Sequence, residues 1–488
     1  MACDSQAIGA CSEAGGNNTI AAGAASHAEG YLTQAVGPAS HAEGGGAVAS
    51  GLYSHAEGQS TIASGENAHT EGFATLASSA SAHAEGYLSQ AIGPAAHAEG
   101  GASIASGVYA HAEGWETRAI GNQSHAEGIF SQAHGIGAHA EGELTQATGL
   151  DSHAEGMETT ASGQASHAEG ENNIASGRAS HVEGNLNEAS GIFAHAEGQR
   201  TLANGDLSHA QGSQTIASGQ CAHAEGAITT ASGFASHTQG VNTVADSFVS
   251  HAQGQGTTTN ELEGVHIMGK FGAADEASYS WYLANGTSDT EPGLAAKILS
   301  SGDVKIDGTV SSPAADYAEM FETEDGLPIE PGYFVALAGE RVRIAQAEDR
   351  YVIGITSAKP AFLSDSADLR WARKFETDEW GRTRYREAEV PARSDSNGNL
   401  IVPAHMERQP ILNPQWDPQQ VYIPRSRRPE WVAVGLVGKL LVRDDGTCAA
   451  GGLCICNDQG IATAAEQGYY VLKRTGVNQI LVLMGRKF

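Results

Sequence analysis

Two sets of residues in this chain have side chains and spacing suited to chemistry. The first lies in Ser311-Ser312-Pro313-Ala314-Ala315-Asp316-Tyr317-Ala318-Glu319-Met320-Phe321-Glu322, where Asp316 and Glu319 stand three residues apart. On a helical turn that spacing puts both carboxylates on one face. Neighbouring carboxylates push their proton affinities apart, leaving one as acid and the other as base. Most acidic pairs at this spacing are solvated surface, so the spacing alone is weak evidence. The second set is histidine, recurring every fourteen residues seventeen times from His27, His41 and His55 to His237 and His251. Two residues after each stands Glu in fourteen coils and Gln in three (Gln211, Gln239, Gln253). Three imidazoles on a threefold axis could hold a metal ion or capture an anion. The plainer reading is a ladder of His–Glu hydrogen bonds, so no metal and no cofactor is expected. Seventeen equal sites do not make a catalytic centre.

So strict a period implies one small structural unit stacked many times. The unit has two similar halves, such as Ser54-His55-Ala56-Glu57-Gly58 and Thr61-Ile62-Ala63-Ser64-Gly65. Seven residues are too few for a stable helix but enough for one short strand and a turn. Glycine is expected at the turns because it tolerates positive φ. The chain therefore coils into a parallel β-roll. Strand alternation puts the invariant alanines, Ala21 through Ala245, and the Ser or Thr two residues earlier on a tight interior face. The opposite face of that half varies (Ile62, Gln90, Arg118, Glu188, Thr230), as a solvated face can. The His/Glu face does not vary, and burial against identical chains would explain this. An Ala/Ser core buries little apolar area, at roughly 25 cal/mol per Å². Three rolls around a threefold axis would cover the His/Glu faces and form a shaft on the order of 80 Å long at about 4.8 Å per coil.

Composition agrees. The 488 residues include 62 glycines and only 6% aromatics, which suits a thin rod with a separate globular part. The net charge of −30 argues against nucleic acid as a partner. No apolar run is long enough for membrane insertion. The start, Met-Ala-Cys-Asp-Ser-Gln, has neither the basic nor the apolar part of a secretion signal. Six scattered cysteines (Cys3, Cys11, Cys221, Cys448, Cys454, Cys456) include no pair of pairs for zinc, so they read as buried free thiols made in a reducing cytoplasm.

The repeat ends at His251-Ala252-Gln253-Gly254, with His266 out of step. The expected division is a shaft over 1–254, a linker and short β-rich connector over 255–310, and a β-rich domain over 311–488. Strand-like runs are Tyr279–Leu283, Ala295–Leu299, Tyr333–Leu337, Arg341–Ala345, Tyr351–Thr356, Trp431–Val442, Tyr469–Leu472 and Gln479–Met484. Turn signals such as Asn285-Gly286, Asp325-Gly326, Asn397-Gly398 and Asp445-Gly446 separate them. The Pro-rich stretch from Pro403 to Pro429 reads as an extended arm. The fold class is thus all-β.

Two resemblances add to this. Thr33-Gln34-Ala35-Val36-Gly37 and Ser89-Gln90-Ala91-Ile92-Gly93 resemble the head repeats of trimeric adhesins, which implies a left-handed parallel β-roll in a trimer over roughly 5–254. The His-Ala-Glu-Gly half departs from that pattern, so adhesin partners do not carry over. Trp281–Ser288, Ala315–Glu322, Pro331–Leu337, Asp349–Ser357 and Glu376–Arg384 resemble, in order, the autoproteolytic intramolecular chaperone domain of phage neck-appendage and tail-spike proteins, the G2 family of peptidases. The Ala-Asp-Tyr-Ala-Glu motif is the most specific of these.

That second resemblance implies a domain that helps the chain trimerise and then cuts itself off, with Asp316 and Glu319 as the catalytic pair. The cut should fall between Ser312 and Asp316, with Ala314–Ala315 as the single expected bond. Some relatives carry Ser immediately before the Asp; here it is Ala315, which leaves water, Ser311 or Ser312 as nucleophile. Coils that all look alike could pair out of step, so a domain that trimerises first would set the register. The expected whole is a homotrimeric tail spike or appendage, carried on the virion and made in the host cytoplasm. Its partner would be a host-cell surface receptor or another tail protein. The alternative is a bacterial trimeric surface adhesin with a retained trimerisation domain. A glycan-cleaving spike is disfavoured because the shaft has no pocket-forming insertions.

Overall fold

The computed structural model describes residues 4–371, 373–394, 400–402 and 404–485. Cys3, the Asn397-Gly398 turn and Pro403 lie outside the described residues. The chain divides into two units, Met1–Thr309 and Val310–Phe488.

The first unit is a parallel β-solenoid. Each coil contributes a strand beginning at its histidine and a two-residue strand ending at its invariant alanine, both paired in register with the next coil. Thus His97 lies against His111 and His111 against His125, while Ala105 lies against Ala119. The alanine columns are fully buried, for example Ala98, Ala105, Ala112 and Ala119. Beside them lie buried hydroxyls that satisfy the turns: Ser26 Oγ donates to the Gly23 carbonyl at 2.7 Å, and Thr33 Oγ1 to the Glu29 carbonyl at 3.1 Å.

Glycine takes the expected positive φ in one column, Gly16 through Gly254, but not in the other. The left-handed corners recur every seven residues and are mostly not glycine: Leu32 (φ 60°), Ala39 (φ 52°) and Tyr53 (φ 57°). Each is held by a hydrogen bond to the coil before, as Leu32 N–H to the Asn17 carbonyl at 2.9 Å. The glycine columns are set by crowding. A Cβ on Gly23 would overlap the Gly37 carbonyl oxygen. One on Gly30, which also has φ 112°, would overlap that of Gly44. The Gly30 column keeps glycine in every coil, whereas the Gly23 column admits Ser79 and Ser247.

One further expectation is corrected here. Residues 255–264 are not a linker throughout. His251–Thr258 forms a strand whose partner is His266–Ala273, with His251 against His266 and Gly254 against Gly269. His266 then lies against Trp281. The solenoid continues with coils one residue longer, which a search on a fourteen-residue period cannot see. The core widens there to Val265, Ile267, Tyr282 and Leu299. The antiparallel strands Leu294–Ile298 and Val304–Ile306 follow. Nor does a single chain form a His–Glu ladder. The imidazoles stack on one another, with ring centres 4.6–5.0 Å apart from His27 to His251. In twelve coils Nε2 stands 3.5–4.0 Å from the nearest glutamate oxygen, beyond hydrogen-bonding distance.

Burial sets the proton affinity of this column. Burial, helped in most coils by the like charge of the neighbouring ring, holds twelve of the histidines below their ordinary value, His209 and His251 at about 4. The glutamates share protons along their own column. Glu57 is pushed up to about 7, first by its hydrogen bond to Glu43; Glu169 reaches about 7, first by burial. An unfolded chain takes up protons on histidine near 6.5, so the solenoid loses stability as pH falls from about 6.5 towards 4. The raised glutamates oppose this, since a proton held only in the fold is lost as pH rises through 7. Twelve imidazoles outweigh three raised carboxyls, Glu197 being the third. Melting by circular dichroism should therefore give a lower Tm at pH 5 than at pH 7. An equal or higher Tm at pH 5 would contradict this account of the column.

The second unit is built on a ten-stranded sheet. Its path runs Arg341–Ile344, Phe334–Ala338, Val352–Thr356, Trp431–Arg443, Gln479–Met484, Tyr469–Gly476, Leu453–Cys456, Ala462–Ala465. All eight strand-like runs read from the sequence are strands, within two residues at their starts. Among the described residues the one helical element is a 3₁₀ turn, Arg425–Arg427, and no helix is long and apolar enough to cross a membrane. The Pro-rich arm is partly sheet: His405–Pro410 pairs with Tyr385–Val390. Cys448, Cys454 and Cys456 are buried among Phe334, Ile355, Leu440 and Tyr469, and burial pushes the Cys454 and Cys456 thiols up to about 12. Cys11 and Cys221 are exposed, against expectation, because they sit at corners of the solenoid.

Candidate active site

Asp316–Glu322 is a β-strand, not a helical turn. It pairs antiparallel with Trp431–Arg443 and parallel with Phe362–Ser364. Its residues alternate small and bulky apolar with polar, and tertiary pairing on both sides fixes the strand. On a strand, residues three apart point to opposite faces. Asp316, Ala318 and Met320 therefore face inward and are buried, whereas Tyr317 and Glu319 face the other way. Within one chain the structure does not bring Asp316 and Glu319 together. Glu319 instead accepts a hydrogen bond from the Tyr317 hydroxyl at 2.8 Å.

Asp316 is only 6% exposed, and its Oδ2 is buried without a hydrogen-bond partner. An unpartnered buried carboxylate oxygen is costly and needs an explanation. Directly upstream, the Ala315 carbonyl accepts a hydrogen bond from Lys439 N–H at 3.2 Å, and the Asp316 carbonyl accepts one from Ala361 N–H at 2.9 Å. The carbonyl of the Ala315–Asp316 peptide is thus held, and so is that of the peptide after it. Two glycines make room for it. A Cβ on Gly438 (φ 118°) would overlap the Ala315 carbonyl oxygen, and one on Gly435 would lie 3.1 Å from Asp316 Oδ2. Gly435, Gly438 and Lys439 escaped the sequence reading. The available signal was a pair of glycines inside the apolar run 431–442, which marks a close backbone approach.

Pro313, Ala314, Ala315 and Asp316 line one side of a cleft of about 710 Å³, with Ser357, Lys359, Lys439 and Leu441 opposite. Ser311 and Ser312 are exposed, and Ser312 Oγ accepts a hydrogen bond from Ala314 N–H at 3.2 Å. The arrangement can polarise one carbonyl with a backbone donor beside a dry carboxylate, as peptide hydrolysis requires.

The pre-neck appendage protein of Bacillus phage B103 is 30% identical over 223 residues, covering 43% of this chain and 24% of that protein. The pre-neck appendage protein of Bacillus phage phi29 is 31% identical over 191 residues, covering 37% and 21%. The chain thus spans about a quarter or less of the length of these relatives. Among solved structures, the C-terminal fragment of phi29 gene product 12 is 30% identical, covering 35% of this chain and 100% of that fragment, with a TM-score of 0.28. Residues 273–478 match the family described as Peptidase_G2, IMC autoproteolytic cleavage domain, and the C-terminal region of this chain carries a domain of that family.

Proposed function

We propose that this chain is a trimeric phage tail-spike or appendage protein, made in the host cytoplasm and carried on the virion. Its C-terminal domain templates trimerisation and then cuts itself from the shaft. The observation that supports this most is the buried, unpartnered Asp316 carboxylate beside a carbonyl held by Lys439 N–H. The cut falls between Ser312 and Asp316. The held carbonyl favours the Ala315–Asp316 bond over Ala314–Ala315, the bond expected from sequence. Asp316 takes a proton from water as its oxygen attacks the Ala315 carbonyl carbon, and Lys439 N–H stabilises the oxyanion. A proton delivered to the Asp316 nitrogen completes the break and leaves a new amino terminus. The shaft can then no longer unfold by the path it folded, so its stability becomes kinetic.

Glu319 is proposed as the second acid, reaching the bond from a neighbouring chain, because its own strand turns it away from Asp316. Cleavage then waits for assembly. The test mixes two kinds of chain, one carrying Asp316→Asn and the other Glu319→Gln, each expected to stay uncut alone. Co-folded mixed trimers, verified by native mass spectrometry, should recover cleavage, and only in the Glu319→Gln chains. Native masses of one chain only, or no recovery in verified mixed trimers, would refute the cross-chain pair.

A further inference from the structure

We propose that the histidine face of the solenoid is a column of sites for divalent transition-metal ions, each formed by two successive histidines and the glutamate that follows the first. At least five triads of this kind occur among the described residues, with their donor atoms within 4.8 Å of one another. His41–Glu43–His55, His111–Glu113–His125 and His139–Glu141–His153 are examples.

Three observations converge on an ion. In seventeen coils, from His41 to His266, the imidazole Nε2 is buried with no hydrogen-bond partner. One orphaned nitrogen is an accident; a column of them is a pattern, and a buried polar atom without a partner is costly. The nearest carboxylate oxygens lie 3.5–4.0 Å away, as between His125 and Glu127 at 3.5 Å. That is too far for a hydrogen bond, but close to the separation of two donors that share an ion at about 2.0–2.2 Å from each. The glutamates are open enough to admit an ion, with Glu113 and Glu127 side chains 40% and 33% exposed.

The donor set selects the metal. Two neutral imidazoles with one carboxylate suit Zn²⁺, Ni²⁺ or Cu²⁺, whereas Ca²⁺ and Mg²⁺ require oxygen donors. Successive triads share a histidine, so at one nitrogen per ion about every other triad can fill. Each ion would tie one coil to the next along the axis. The coils at His209, His237 and His251 carry Gln211, Gln239 and Gln253 in place of Glu and lack the carboxylate. The sites therefore belong to the body of the shaft.

The test is equilibrium dialysis of the untagged, chelator-stripped chain against ZnCl₂, with bound zinc measured by elemental analysis. More than one zinc per chain is expected. A chain with His111, His125, His139 and His153 all changed to Gln loses at least three consecutive triads and should bind at least one ion fewer. Less than one zinc per chain, or the same number in a folded quadruple variant, would overturn the proposal. Should that variant not fold, Co²⁺ on the unaltered chain decides. Visible bands stronger than those of aqueous Co²⁺ and abolished by Zn²⁺ are expected; a spectrum no different from free Co²⁺ overturns the proposal.

Discussion

The Asp316→Asn chain should remain a single 50.3 kDa species while the unaltered chain is consumed. Asparagine keeps the size of the side chain and its place on the inward face of the strand, so the sheet pairing with Gly438 is retained. It removes the oxygen that accepts the proton of the attacking water. Loss of a general base lowers a rate by about 10²- to 10⁴-fold. A time course on denaturing gels should then show no fragment over the period in which the unaltered chain is fully cut. The buried position makes the comparison clean, because Asp316 Oδ2 has no partner whose loss could unfold the domain. Cleavage at the unaltered rate would remove Asp316 from the mechanism.

The second large effect lies in the shaft. Gly142 has φ 112°, and a Cβ there would overlap the Gly156 carbonyl oxygen of the next coil. Gly142→Ala forces two adjacent coils apart and breaks the ladder between His139–Glu143 and His153–Met157. The left-handed strain adds about 1–3 kcal/mol to the clash, so a total loss above roughly 3 kcal/mol is expected. Gly45→Ala is the internal control, since a Cβ there meets nothing within 4 Å and the backbone is not left-handed. Differential scanning calorimetry should show a strongly lowered Tm, or a split transition, for Gly142→Ala and little change for Gly45→Ala. Equal melting of both would mean that coil spacing is not what excludes side chains from the glycine columns.

The contrast between these regions shows what the sequence could reveal. The coil, its alanine interior and its register are legible because a strict period leaves one arrangement in which Ala105 always meets Ala119. Glycine was legible as special, and its positive φ holds for the Gly30 column but not for the Gly23 column. Corner residues such as Leu32 carry the left-handed backbone, while Gly23 and Gly30 answer to a neighbour fourteen residues away. The continuation through His266 and Trp281 was hidden by a single inserted residue per coil. Six of the ten sheet strands of the second unit were legible from apolar runs and turn signals, but which strands meet was not. The acidic pair suffered most from this. Spacing placed Asp316 and Glu319 on one helical face, whereas pairing with Trp431–Arg443 and Phe362–Ser364 makes the segment a strand and separates them. Lys439 and Gly438, more than a hundred residues downstream, could be assigned to the site only from the fold.

The central claim, that the chain cuts itself beside Asp316, is tested most directly by the intact mass of freshly purified recombinant protein under denaturing conditions. Dividing 50.3 kDa in proportion to the residues on either side of the Ala315–Asp316 bond gives fragments of about 32 and 18 kDa. Those two masses, with the smaller fragment beginning at Asp316, are the predicted result. A single stable species at 50.3 kDa would mean that the domain stays attached and that Asp316 is not catalytic.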